Sequence, residues 1–226
     1  MSAGDWQAVG VTLRLAAATT LVLLLLGTPL AWWLARTQRS RVATVVDSLV
    51  ALPLVLPPTV LGFYLLVLLG PQGALGQAFA ALGLPLLVFS FWGLVAASVV
   101  SSLPFMVQPL RDAFAGVGVR MTEVAATLRA SPLDAFFSVA VPLARRGFLS
   151  ALTLTFAHTV GEFGVVLMVG GNIPGATRVL SIAIYDHAEA MNYPAAHALA
   201  GGLLLASFAA LLALNLAHRR RMVAPA

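Results

Sequence analysis

The stretch from Ser48 to Leu110 contains no charged residue. An apolar helix needs about 20 residues to cross the hydrocarbon core of a bilayer, so this stretch alone is long enough for two crossings. In the whole sequence 9% of the residues are charged and 60% are hydrophobic, whereas roughly a quarter of the residues in a soluble domain are charged. So few charges cannot cover a water-facing surface, and the chain is predicted to lie in a lipid bilayer.

About five transmembrane helices in one all-α domain, residues 1–226, are predicted from the apolar runs. Proline and glycine residues divide the charge-free stretch and predict an external hairpin near residues 70–84. Two other segments, about 108–146 and about 170–192, are too polar to cross the bilayer, and we expect them at the inner and outer surfaces. The predicted spans are about 11–35, 48–69, 84–105, 147–169 and 193–217.

Arginine supplies every basic side chain, because the sequence contains no lysine. Cytoplasmic loops of membrane proteins carry an excess of such residues. With an odd number of spans, the clusters after the first, third and fifth spans fall on one side, which predicts an outer N-terminus and an inner C-terminus. Membrane topology explains the basic charge, and no nucleic-acid partner is predicted. The clusters are Arg36, Arg39 and Arg41; Arg111, Arg120, Arg129, Arg145 and Arg146; and Arg219, Arg220 and Arg221.

The inner segment is predicted to contain two short helices in succession. Thr122 is expected to cap a helix that begins at Glu123, and Ser131 to cap a second helix that begins at Pro132. A rigid bend with an apolar face fits the groove of a partner protein. The same face would also rest on lipid headgroups, and physical reasoning alone leaves both alternatives open. The predicted apolar stripe consists of Met121, Val124, Ala125 and Leu128.

This elbow, residues 121–142, resembles the EAA loop of permease subunits in ATP-binding-cassette (ABC) importers. The matching residues are Glu123, Ala125, Ala126, Phe136, Phe137, Val139 and Pro142. Val124 stands where the loop has alanine, and Arg129 stands where it has glycine, which turns more readily. In that family the loop is a coupling helix held in a cleft of the ATPase. The resemblance implies that the ATPase is contacted by Glu123, Val124, Ala125, Ala126, Leu128, Ser131, Pro132 and Pro142.

Three further segments are similar to signatures of the molybdate/tungstate permeases, namely residues 52–62, 160–164 and 172–181. Permeases for sulfate and thiosulfate share weaker versions of these signatures. The resemblance implies the type I, MetI-like permease fold of ABC importers. It also implies import of an oxyanion, with molybdate or tungstate as the first reading and sulfate or thiosulfate as the alternative.

The energy source is predicted to lie on another chain. A phosphate-binding P-loop requires a lysine, and this sequence has none, so ATP and magnesium would bind a partner and this chain would be neither an enzyme nor a cofactor carrier. The resemblance implies a homodimer in the bacterial inner membrane, with two cytoplasmic ATPase subunits and an external, periplasmic oxyanion-binding protein. An intramembrane enzyme is the alternative from another class, but the sequence contains neither G-x-S-x-G nor H-E-x-x-H. A passive channel would give no reason for the elbow.

Two features inside the predicted spans point to a translocation path or gate. Pro57 and Pro58, followed by Thr59, interrupt the backbone hydrogen bonds of the second span, either as a structural kink or as a bend that lines a path. On the fourth span, polar residues follow one helix face, and such residues usually face the bundle interior or a water-filled path. This polar stripe consists of Thr155, His158, Thr159 and Glu162.

Glu162 would repel an oxyanion, so it is predicted to shape a gate by pairing with His158 or with backbone donors near Asn172. His158 and Glu162 supply only two metal ligands where a zinc site needs at least three, and no metal site is predicted. A smaller stripe on the third span is expected to serve close packing between helices. It consists of Ser98, Ser101 and Ser102.

The external segment begins with the turn-rich sequence of residues 170–175, and a short helix is predicted at residues 180–190. In the family, outer loops meet the solute-binding protein, and a solvated connector is the alternative. The residues expected at that contact are Asn172, Pro174, Gly175 and Arg178.

Overall fold

The computed structural model describes the backbone of residues 1–37, 40–127 and 129–222, and the side chains of these residues except 119–123, 126 and 213–222. Within this part of the chain, all regular secondary structure is helical, which confirms the predicted all-α fold. The helices are α1 (Ala3–Arg36), α2 (Arg41–Val55), α3 (Pro58–Leu69), α4 (Ala74–Ala81), α5 (Phe91–Thr127), α6 (Pro132–Ala135), α7 (Val141–Leu143), α8 (Arg145–Gly161), α9 (Gly164–Gly170), α10 (Leu180–Glu189) and α11 (Tyr193–Met222), with a π-helical turn at Phe136–Ala140.

Helix α1 contains the first predicted span and extends beyond it at the N-terminal end. Ser2 and Asp5 form a capping box, in which Ser2 Oγ accepts from Asp5 N and Asp5 Oδ2 accepts from Ser2 N. Leu15 and Leu23 are fully buried where α1 packs against α5 and α8. This helix therefore forms one wall of the bundle.

The predicted interruption of the second span at Pro57 and Pro58 is confirmed, and residues 48–69 do not form one continuous helix. The chain is helical to Val55, extended at Leu56 (ψ 136°) and Pro57 (ψ 134°), and helical again from Pro58. Pro57 and Pro58 have no N–H to donate, and a residue before proline is biased toward extended backbone. The apolar stretch that is long enough to span runs from Pro58 to Ala81 instead and includes α4.

The third predicted span begins later and ends later than expected. Residues 82–90 are not helical, and α5 begins at Phe91 rather than near residue 84, so the connection between the second and third spans extends to residue 90. Beyond residue 105 the helix continues to Gly118, whose φ of 73° interrupts it before residues 119–127. The first part of the predicted inner segment therefore continues the helix of the third span.

The fourth predicted span, residues 147–169, is also divided. Helix α8 ends at Gly161, Glu162 is extended (ψ 134°), and α9 begins at Gly164. On the other side of α8, the segment Pro132–Leu143 meets it at an angle of 73°. In the described residues four helical segments are long and apolar enough to cross a membrane, or five if this bent pair counts as one span.

The last two helices agree with the sequence-based expectations. Helix α10 occupies Leu180–Glu189, as predicted for the external segment, and α11 begins at Tyr193. In the most apolar part of α11 only 11% of the residues are buried, and Leu204, Leu205 and Phe208 are each more than 60% exposed. In a membrane protein such a surface faces lipid or another apolar surface.

Candidate translocation path and coupling elbow

The breaks in the second and fourth spans face each other. A Cβ atom added to Gly164, at the start of α9, would lie 2.9 Å from Pro58 Cβ at the start of α3. One turn along α3, a Cβ added to Gly62 would lie 2.9 Å from Met168 Cβ. Real Cβ contacts are longer than this, so glycine at both positions allows α3 and α9 to pack with their backbones close together.

A cluster of hydroxyl, imidazole and carboxylate groups joins the third and fourth spans beside this contact. Ser101 Oγ donates to Glu162 Oε2 at 2.9 Å. Ser102 Oγ lies 3.0 Å from His158 Nδ1 and 3.1 Å from Thr159 Oγ1. The polar stripe predicted on the fourth span thus meets the serine stripe of the third span, which was expected to serve helix packing and forms hydrogen bonds between the helices.

Counting donors and acceptors in the cluster identifies the arrangement in which each contact has one donor and one acceptor. Thr159 Oγ1 donates to Thr155 O at 2.9 Å, so its oxygen remains to accept from Ser102. Ser102 then has no second proton to donate, and the contact with His158 is satisfied when Nδ1 carries a proton and donates to Ser102 Oγ. His158 is also stacked on Phe105, with 4.1 Å between the ring centroids, so its ring is held on two sides.

Glu162 is almost completely buried at the helix break. Its carboxylate accepts from Ser101 and lies 3.7 Å from His158 Nδ1, and its backbone carbonyl accepts from Ser181 Oγ at 2.6 Å. The expected pairing with His158 is therefore a secondary contact. The alternative, a backbone donor near Asn172, is not found among the described residues, where Gly171 N donates to Leu167 O and Ile173 N donates to Thr177 Oγ1.

A groove of about 490 Å³ opens beside this cluster. It is lined by Pro58 and Thr59 of α3 and by His158, Glu162 and Gly164 of the broken fourth span, together with Ala157, Gly161 and Phe163. Thr155 is fully buried and does not reach this groove. The structure thus brings together most of the residues predicted for a path or gate, with Pro57 directly before Pro58 in the chain.

Sequence reasoning gave two members of this site too little weight. Ser101 and Ser102 were assigned to packing because serine in a membrane helix usually allows close approach, and only the facing helix shows which partners are in reach. Ser181 was not considered as part of the path. A signal for it existed, since it ends the 172–181 signature.

The predicted contact residues of the external loop divide into two groups. Asn172 Nδ2 donates to both carboxylate oxygens of Asp186, and Arg178 forms an ion pair with Asp186 at 2.8 Å. These side chains therefore hold the loop onto α10. Pro174 and Gly175 lie exposed at the tip of the loop, where Gly175 adopts a φ of 75° that favours glycine.

The elbow is partly as predicted and partly different. Ser131 Oγ accepts from Asp134 N at 3.1 Å and Pro132 is the first helical residue, which confirms the second cap. The first cap at Thr122 is wrong, because the backbone is already helical there and the break lies at Gly118. Leu128 lies outside the described residues, and nothing is described of the Glu123 and Ala126 side chains.

Arg129 occupies the position where glycine was expected. Its φ is 62°, in the left-handed region, and Ala130 N donates to Ala125 O at 3.1 Å. This is the six-to-one hydrogen bond of a Schellman motif, whose left-handed residue is usually glycine. The turn therefore forms with arginine, at a backbone cost of about 1–2 kcal/mol.

The apolar face of the elbow differs from the predicted stripe. Val124 is 56% exposed, whereas Ala125 is buried against this chain and is not available to a partner. Leu133 and Phe137, which were not part of the predicted stripe, are 71% and 65% exposed. Ser131, Pro132 and Pro142 are exposed as well.

Comparison with known proteins gives consistent matches over most of the chain. The family model for binding-protein-dependent transport system inner membrane components matches residues 27–222. The molybdenum transport system permease protein ModB of Azotobacter vinelandii is 60% identical over 219 residues, which cover 97% of this chain and 96% of that protein. The sulfate transport system permease protein CysT of Salmonella typhimurium is more distant, with 32% identity over 194 residues, or 86% of this chain and 69% of that protein.

A solved structure shares the fold. A chain in the crystal structure of a bacterial alginate ABC transporter, in complex with its alginate pentasaccharide-bound periplasmic protein, superimposes with a TM-score of 0.79. The match covers 100% of this chain and 82% of that chain, at 16% sequence identity. At this identity the likeness establishes the fold alone.

Proposed function

The chain belongs to the family of binding-protein-dependent transport system inner membrane components, and on this premise we propose that it is the permease subunit of a molybdate importer. It is a multi-pass inner-membrane transport component and not an enzyme. The observation that carries the substrate assignment is the 60% identity to a molybdenum permease over 97% of the chain. The sulfate permease is only 32% identical, so molybdate, or the isosteric tungstate, is favoured over sulfate and thiosulfate.

In the proposed mechanism the oxyanion passes through the groove where the two broken spans face each other. Hydroxyl groups donate hydrogen bonds to an oxyanion without holding it as firmly as a fixed cation would, which favours passage over tight binding. Thr59 lies in this groove, and Ser102 and Thr159 lie directly behind His158. Opening the α3 and α9 contact would widen the groove around Thr59.

Glu162 acts as the gate in this proposal. A buried carboxylate repels a passing anion, and its hydrogen bond to Ser101 holds it beside the groove. Its backbone bond to Ser181 links the gate to α10 at the outer surface. A movement of α10 would therefore reach Glu162 through one hydrogen bond.

The proposed partners are those expected for a binding-protein-dependent transport system. We propose a homodimer around a central path, two cytoplasmic ATPase subunits that carry ATP and magnesium, and a periplasmic oxyanion-binding protein that docks at the external loop. The ATPase docks on the elbow, whose exposed apolar face contains Val124, Leu133 and Phe137. Closure of the ATPase subunits moves the elbows and changes the path from inward-facing to outward-facing. This arrangement places the N-terminus outside and the C-terminus inside.

The substrate test uses the complex reconstituted in liposomes with its ATPase subunit and binding protein. Molybdate and tungstate are expected to stimulate ATP hydrolysis and ATP-dependent uptake, and sulfate is expected to do neither at the same concentration. Stimulation by sulfate alone would refute the substrate assignment. Uptake without ATP would refute the importer.

The docking test changes the elbow. Glu123→Arg or Leu128→Asp is expected to uncouple ATP hydrolysis from transport while membrane insertion stays normal, and Glu123→Asp is the conservative control. Full coupled transport by both variants would exclude the elbow as the docking site.

A further inference from the structure

Four aromatic rings from four different segments meet where the elbow joins the membrane helices. Trp32 of α1 lies edge-on to Phe114 of α5, with 5.0 Å between the centroids, and to Phe136 of the π-helical turn at 5.1 Å. Phe114 also contacts Phe136 at 5.9 Å and Phe148 of α8 at 5.7 Å. We refer to these four residues as the aromatic joint.

The joint is part of the core of the inner half of the bundle. Phe114 is 3% exposed, and Phe136 packs against the same buried cluster that contains Leu110 and Ala140. Edge-to-face ring pairs contribute about 0.5–1.5 kcal/mol each beyond the area that they bury. Because such packing is dense and nearly incompressible, a displacement of one ring is passed to its neighbours.

The backbone connections of the elbow transmit displacement less well. On the α5 side the chain passes through Gly118, where φ is 73° and a Cβ would meet nothing within 4 Å. On the α8 side Ala144 (ψ 4°) interrupts the helix at a bend of 73°. Both connections are breaks in the helix, and helix breaks bend more readily than continuous helix. Side-chain packing of Phe136 and Ala140 against the buried cluster is therefore the stiffer connection between the elbow and the membrane helices.

The π-helical turn places this ring. Val141 N donates to Phe136 O, a hydrogen bond across five residues instead of four. Pro142 has no N–H, so the α-helical bond to Ser138 O is unavailable at this point, which favours the wider turn. The turn packs the partly buried Phe136 against the core cluster, whereas the next residue, Phe137, is 65% exposed.

We propose that Phe136 is a positioning residue that transmits movement of the docked elbow to α1 and α5, whereas Phe137 contacts the ATPase. The proposal rests on the proposed function, since it needs an ATPase bound at the elbow. Adjacent phenylalanines that are alike in sequence thus have separate tasks, one inside the permease and one at its surface.

The test compares Phe136→Ala with Phe137→Ala in the reconstituted complex. Three quantities are measured: ATPase subunit recovered with the purified permease, ATP hydrolysed, and molybdate transported per ATP. Phe136→Ala is expected to keep the ATPase bound and to lower transport per ATP by about tenfold, which corresponds to a coupling loss within the usual range. Phe137→Ala is expected to lower recovery of the ATPase subunit instead.

A purely structural defect would lower hydrolysis and transport together and leave their ratio unchanged. Phe136→Leu keeps most of the apolar volume and is expected to restore most of the transport per ATP, to about twofold below wild type. If Phe136→Ala is not recovered from the membrane, this twofold loss in Phe136→Leu is the test. Wild-type transport per ATP in both Phe136→Ala and Phe136→Leu, or loss of ATPase binding by Phe136→Ala, overturns the proposal. If the wild-type complex shows no ATP-dependent uptake, the proposed function fails instead.

Discussion

The contribution of the polar cluster to the free energy of unfolding can be measured at the hydrogen bond between Ser101 and Glu162. Ser101→Ala removes the donor and leaves a buried carboxylate whose next polar neighbour in the described residues is His158 at 3.7 Å. Because that distance is too long for a hydrogen bond, no other group takes over the role of Ser101. The substitution thus isolates one contact between the third and fourth spans.

The expected magnitude follows from the charge and burial of the acceptor. Hydrogen bonds between membrane helices contribute about 0.6 kcal/mol on average, and bonds to charged groups contribute about 1.5–3 kcal/mol. Glu162 is only 7% exposed, at the edge of the groove, so water replaces the lost donor only in part. We expect Ser101→Ala to lower the free energy of unfolding by about 2 kcal/mol, and by about 0.5 kcal/mol when Glu162→Ala is already present.

The assay is a double-mutant cycle on reversible unfolding in mixed detergent micelles. Ser101→Ala, Glu162→Ala and the double variant give a coupling energy of about 1.5 kcal/mol, and the cavity left by Glu162→Ala cancels within the cycle. Ser98→Ala is the matched control, because Ser98 Oγ is buried one turn earlier on the same helix and has no hydrogen-bond partner among the described residues. A coupling energy below about 0.5 kcal/mol, or an equal loss in Ser98→Ala, would refute the reasoning.

Three other changes test separate features. Glu162→Gln is expected to reduce molybdate uptake while assembly with the ATPase stays normal, and normal uptake would exclude Glu162 as the gate. Arg129→Gly should stabilise the turn at residue 129 by about 1 kcal/mol, measured by amide hydrogen exchange. Gly118→Ala should destabilise the break before the elbow, because φ is 73° at Gly118. A loss of stability in Arg129→Gly or a gain in Gly118→Ala would contradict the backbone argument. Asp47 of α2 forms an ion pair with Arg111 of α5, and the two side chains are 38% and 24% exposed. Asp47→Asn should therefore lower the free energy of unfolding by less than about 1 kcal/mol, and a loss above about 2 kcal/mol would mean that this pair is shielded from water.

Composition and local pattern were sufficient for the membrane class, the all-α fold and the family. Lipid contact requires long apolar runs, and no arrangement of the helices changes that requirement. The cap at Ser131 and the helix beginning at Leu180 were also predictable, since both depend on neighbouring residues. The polar stripe containing His158 and Glu162 was visible because helical spacing alone places its members on one face.

Only the tertiary structure decided which polar groups meet and how the spans are divided. Ser101 and Glu162 are 61 positions apart, and their hydrogen bond depends on how α5 packs against α8. No proline marks the helix break at Glu162, unlike the break at Pro57, so the sequence predicts a continuous helix there. Likewise Phe136 and Phe137 are alike in a sequence, and burial by distant helices distinguishes them. Contacts between residues far apart in the chain depend on the packing of whole helices, which a local pattern does not contain.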